Sequence, residues 1–95
     1  MREAVVLVHG AWMTGLEMTP LRRRLTRLGY TCHLFSYPSL LAAPEDNAAR
    51  LNRFLGGVDA DVVHLVAHSL GGLVLLHLFD RYPVQCPGRV LMLGT

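Results

Sequence analysis

The strongest constraint on the fold of this chain is an alternation. Short apolar runs rich in β-branched residues are separated by longer segments with a helical period. Glu3 to Val8 is one such run, continuous rather than alternating, as expected of a strand covered on both faces. His9 to Gly15 is a glycine-containing loop. Thr19 then reads as an N-cap with Pro20 at the first helical position. Leu21, Leu25 and Leu28 follow at i, i+4 and i+7, and Gly29 stops the helix. Tyr30 to Phe35 is a second strand, ended by Tyr37-Pro38. Pro44, Glu45 and Asp46 open a second helix with acids where its dipole favours them. Ala48, Leu51 and Leu55 form its apolar stripe, and Gly56-Gly57 closes it. Asp61 to Val66 is a third strand, and Leu70 to Phe79 a helix apolar nearly all round, hence expected to be buried. Arg89 to Leu93 is a fourth strand, also expected to be buried.

Strand and helix in strict alternation predict right-handed crossovers in a parallel sheet of about four strands with helices on both faces, an α/β fold. With 95 residues there is room for one small domain, so residues 1–95 are read as part of a single one. Hydrophobic residues make up 52% and charged ones 17%, which excludes disorder. Parallel sheets need both faces covered, and nothing follows the fourth strand to cover one side of it. The expectation is therefore the N-terminal half of a larger domain. The apolar run before His9 is too short for a secretory signal core, so a cytoplasmic location is expected. Val62 to Phe79 holds no formal charge, but its three histidines, Ser69 and two glycines suit a protein core better than a membrane span.

The net charge of +2 arises from arginines alone, and Arg22, Arg23, Arg24 and Arg27 cluster on the first helix. They read as a solvated face; no recognition motif argues for nucleic acid. Cys32 and Cys86 match no zinc or redox spacing and read as buried thiols of a reducing compartment, with a single disulfide between them as the alternative. No metal-ligand spacing appears among the histidines, no cofactor is expected, and the absence of any lysine removes a phosphate-binding P-loop.

The chemistry is concentrated in Val62 to Leu73, VVHLVAHSLGGL. A strand runs straight into Ala67-His68-Ser69-Leu70-Gly71-Gly72 and then a helix, which is the setting of a nucleophile elbow, small-x-Ser-x-Gly. A serine on so sharp a turn sits in a strained conformation with its hydroxyl lifted above the sheet edge. The residues two before and two after it must be small because strand and helix nearly touch there, and Ala67 and Gly71 meet that need. The helix aims its positive end where an oxyanion would form. Ser69 is thus the candidate nucleophile. The backbone N–H of Leu70 and that of Ala11, with Trp12 as alternative, are the candidate oxyanion donors, and His9, Gly10, His68 and Gly72 support the two loops. Trp12, Met13 and Met18 either line an acyl pocket or pack over the first helix.

These two segments, VLVHGAW at 6 to 12 and VHLVAHSLGG at 63 to 72, resemble the α/β-hydrolase family, in particular bacterial lipase- and esterase-like members. The resemblance runs along essentially the whole chain, which corresponds to a truncated core of that fold. It implies a spatial strand order of second, first, third, fourth, with the first helix on one face and the other two opposite. It also implies a serine hydrolase of carboxylic esters working through an acyl-enzyme, with a small-molecule ester or lipid as substrate. Ala67 stands where the usual elbow has glycine, a variant known in one lipase subgroup.

The family's triad runs serine, acid, histidine, with the last two after later strands. No histidine here is a convincing substitute. His64 is roughly 17 Å from Ser69 at ~3.3 Å per strand residue. His77 is roughly 12 Å away at ~1.5 Å per helical residue. His33 lies on a strand not adjacent to the third, His68 should diverge from the hydroxyl, and His9 reads as loop support. Asp59, Asp61, Asp80, Glu45 and Asp46 all fall away from the site. The expectation is an incomplete triad, with a complementing C-terminal segment as a further partner. The rival readings are an inactive, partner-binding remnant, and the same fold performing acyl transfer or thioester, lactone or amide cleavage.

Overall fold

The computed structural model describes residues 2–10, 18–38 and 42–93. Four strands, β1 (Glu3–Val8), β2 (Thr31–Phe35), β3 (Val62–His68) and β4 (Val90–Leu93), alternate with three helices, α1 (Thr19–Arg27), α2 (Pro44–Gly56) and α3 (Gly71–Arg81). The strands form one parallel sheet in the order β2-β1-β3-β4, as the resemblance implies. Val8 lies opposite both Phe35 and Ala67, so β1, β2 and β3 end together at one rim.

Two cores follow from the two faces of β1, because successive side chains of a strand point to opposite sides. Val6 and Val8 join Leu65, Ala67, Ala48 and Leu51 of α2, and Val74, Leu75 and Leu78 of α3. Val5 and Leu7 join Val66 and Met18, with Leu21 and Leu25 of α1 packed against them. Met18 thus packs beneath α1. Leu51, Leu75 and Leu78 are fully buried, each contributing roughly 1.5–3 kcal/mol over an exposed position. β1 is buried on both sides, as its continuous apolar run predicts.

Several expectations are corrected. Met18, not Thr19, caps α1, and among the described residues no side chain caps its first amides. The helix ends at Arg27, which leaves Leu28 67% exposed instead of on the apolar stripe. β3 extends two residues beyond the expected Val66, so His68 belongs to the strand. α3 buries one side only, leaving Leu73 and Leu76 in solvent. β4 is exposed throughout, because as the edge strand it has a neighbour on one side only and little of α3 above it. Cys86 is exposed rather than buried, being on the connection before β4, and Cys32 is half-buried; both are free thiols. No helix among the described residues is long and apolar enough to cross a membrane.

Candidate functional site

The rim where β1, β2 and β3 end holds the residues singled out by the sequence. β3 stops at His68, α3 starts at Gly71, and Ser69 and Leu70 make the whole turn between them. Ser69 has φ +54°, the one non-glycine residue with positive φ among the described residues. A side chain in that left-handed region costs about 1–2 kcal/mol, so surrounding contacts must hold it there. They come from three elements. The Ser69 N–H donates to the Leu93 carbonyl of β4 at 2.9 Å, and its own carbonyl accepts the Gly72 N–H at 3.0 Å. The third is steric: a Cβ built on Gly71 would lie 2.7 Å from the Val8 carbonyl oxygen and 2.9 Å from that of His9. The first residue of α3 therefore rests directly on the end of β1, and only glycine fits. Ala67 is fully buried on the other side of the serine, and Gly72 is buried as well.

This arrangement leaves the Leu70 N–H at the positive end of α3 without an acceptor among the described residues. Ala11, Trp12 and Met13 lie outside the described residues. His9 and Gly10, which lead into that loop, follow directly from Val8, whose neighbour in β3 is Ala67.

His9 is 1% exposed and both of its ring nitrogens are engaged. The Tyr37 N–H donates to Nε2 at 3.2 Å, which makes Nε2 the acceptor, so Nδ1 carries the proton and donates to the Gly10 carbonyl at 2.9 Å. The Tyr37 hydroxyl donates to the His9 carbonyl at 2.6 Å, and the two rings stack with centroids 4.2 Å apart. Burial pushes the Tyr37 phenol up to about 12, so it stays a neutral donor. His9 is thereby a clamp between the loops after β1 and β2. Its partner, Tyr37, was legible only as a strand end; an aromatic at the equivalent rim position of the neighbouring strand was the available signal.

The remaining titratable groups are placed elsewhere. His64 accepts the Arg89 N–H at Nδ1 (3.0 Å) and meets the Glu3 carboxylate through Nε2 (3.1 Å), near the start of β1. His77 lies 3.8 Å from Glu45, tying α3 to α2. His33 packs edge-on to Phe54. Asp59 and Asp61 hold Arg2, through its guanidinium and its backbone N–H respectively. His68 is the nearest histidine along the chain, and its buried Nδ1 has no partner among the described residues. The structure thus brings no histidine or carboxylate to Ser69 by any described hydrogen bond, and no group of side chains that could hold a metal ion occurs among the described residues. Clefts of about 280, 760 and 250 Å³ open against α2, beside α1 and beside Arg2 and Asp59, and none of the three is lined by Ser69.

A four-stranded parallel sheet in this order, with a strained serine between its third strand and the following helix, defines an α/β hydrolase core. The sequence accordingly matches the alpha/beta hydrolase family over residues 5–94, and the chain belongs to that family. No curated protein matches the sequence.

Proposed function

We propose that this chain carries the nucleophile of a serine hydrolase acting on carboxylic esters through an acyl-enzyme. The observation that supports the reading best is Ser69 at φ +54° on the turn from β3 into α3. The hydroxyl oxygen attacks the ester carbonyl and loses its proton to a base. The tetrahedral oxyanion draws on the Leu70 N–H and a second N–H from Ala11, or else Trp12. The alcohol leaves, and water then releases the acid and frees the serine. Each oxyanion donor lowers the barrier by roughly 3 kcal/mol.

The base and its carboxylate come from outside residues 1–95. Support for this is that both ring nitrogens of His9 and of His64 are engaged elsewhere and that no histidine or carboxylate is hydrogen-bonded to Ser69 among the described residues. Serine without a base is a weak nucleophile, and most of the rate is lost. A fluorophosphonate probe tests both parts. The complete enzyme labels at Ser69 and Ser69→Ala does not, whereas residues 1–95 alone label slowly. Brisk labelling of the isolated segment would show that it contains its own base, and labelling of the Ser69→Ala enzyme would discard Ser69.

A further inference from the structure

We propose that the outer face of α1 is a docking surface for an anionic membrane. α1 reads TPLRRRLTR, and Arg22, Arg23, Arg24 and Arg27 are all exposed, with no acidic residue in the helix. None of the four makes an ion pair among the described residues, where the ion pairs involve Arg2, His64 and His77. The charge is also segregated. The chain as a whole is +2, so this one helix carries +4 and all other residues together carry −2. Such a charge distribution turns α1 toward any extended negative surface before contact is made.

The shape of the patch and its chemistry decide the partner. Leu21 and Leu25 pack inward against Val5, Leu7 and Val66, so the arginines stand on the convex side of a helix lying over the sheet. None of the described clefts is lined by any of the four arginines. Within 22–27 the two other residues are Leu25, which packs inward, and Thr26, whose hydroxyl is turned onto the Arg22 carbonyl at 2.8 Å; no Asn, Gln or aromatic accompanies the guanidinium groups. What remains is a cluster of guanidinium groups on the outward side of one helix, each suited to bidentate phosphate contact. Next to it Leu28 is 67% exposed and available to the interface. That combination fits phospholipid headgroups. The proposal does not depend on the hydrolase reading, since it uses no residue of the turn at Ser69 and is measured without turnover.

The test is sedimentation of the full chain with vesicles of phosphatidylcholine alone or containing about a third phosphatidylserine. Binding is expected to the anionic vesicles only, and to weaken as salt rises. Each basic residue near such a surface is worth about fivefold in affinity, so Arg23→Gln with Arg27→Gln is expected to lose roughly 30-fold. Arg53→Gln with Arg81→Gln, the same charge change on exposed positions of α2 and α3, is expected to change binding less than about threefold. Arg23→Lys with Arg27→Lys keeps the charge and is expected to retain most of the binding. Failure to bind anionic vesicles, an equal loss in the α2–α3 pair, a Lys pair as weak as the Gln pair, or tighter binding to duplex DNA than to vesicles would each overturn the proposal.

Discussion

Replacing Gly71 by alanine tests the contact that shapes the candidate site. In an ordinary helix the change is favourable, because alanine is about 1 kcal/mol better than glycine. Here the added methyl would meet two backbone oxygens, at 2.7 Å from Val8 and 2.9 Å from His9. Neither can rotate away, so α3 must move off the end of β1. Forcing an extra methylene into a packed site costs about 1–3 kcal/mol, which set against the helical gain leaves a net loss of up to about 2 kcal/mol. Gly56, the last residue of α2, is the internal standard, since a methyl there meets nothing within 4 Å. Gly56→Ala is expected to gain about 0.5–1 kcal/mol. In urea unfolding of the two variants side by side, the midpoints should move in opposite directions. Thermal midpoints should separate by roughly 4–8 °C for each kcal/mol in a domain this size. A Gly71→Ala variant as stable as Gly56→Ala would show that the approach of α3 to β1 is not tight, and would remove the steric reason for a small residue there.

Ser69 itself gives a second comparison. Ser69→Gly relieves the strain at φ +54° and is expected to be more stable than Ser69→Ala by up to about 1 kcal/mol, although neither labels with the active-serine probe; equal stability would mean the turn is unstrained. Tyr37 makes stability fall at high pH. Its phenol is raised from the ordinary 10.0 to about 12, so the folded state holds a proton the unfolded chain has released. The stabilisation is complete below pH 10 and is lost as pH rises toward about 12, by roughly 1–2 kcal/mol, with tyrosinate absorbance rising as the fold is lost. Tyr37→Phe should show a flatter profile in that window, and an unchanged profile would refute the assignment. Leu91 is 54% exposed on the edge strand, so Leu91→Lys should suppress concentration-dependent scattering by the 95-residue chain without lowering its unfolding midpoint. Scattering equal to that of the unaltered chain would place the sticky surface elsewhere.

Much of the fold was legible because its signals are local. β1 spans the expected Glu3 to Val8, since a run apolar on both faces fits only a central strand. The glycines that close α2, Gly56 as its last residue and Gly57 as its cap, and the acids in its first turn also fall where punctuation and dipole arguments put them. What failed was context. An apolar helix and an apolar edge strand look buried in sequence, yet Leu76 of α3 and Leu91 of β4 are more than half exposed, because burial depends on what lies above a residue. In the same way Ser69 was found from its neighbours in sequence, whereas its bond to the Leu93 carbonyl and the pairing of His9 with Tyr37 join segments far apart in the chain, and Tyr37 showed in sequence only as an aromatic at a strand end.

These long-range contacts explain how a strained serine can be held without any base hydrogen-bonded to it among the described residues. The turn is fixed by β4 through the Ser69 N–H and by β1 through Gly71, while β1 is fixed to β2 through His9 and Tyr37. Every one of those constraints is backbone or buried, and none involves the Ser69 hydroxyl. Positioning of the candidate nucleophile and supply of its proton acceptor are therefore separable: the first is complete among the described residues, and the second can be added or lost without disturbing the turn. A change that removes the base should leave the stability of the elbow untouched. A change at Gly71 should damage both, because it moves the helix end that carries the Leu70 N–H as well as the serine's own backbone.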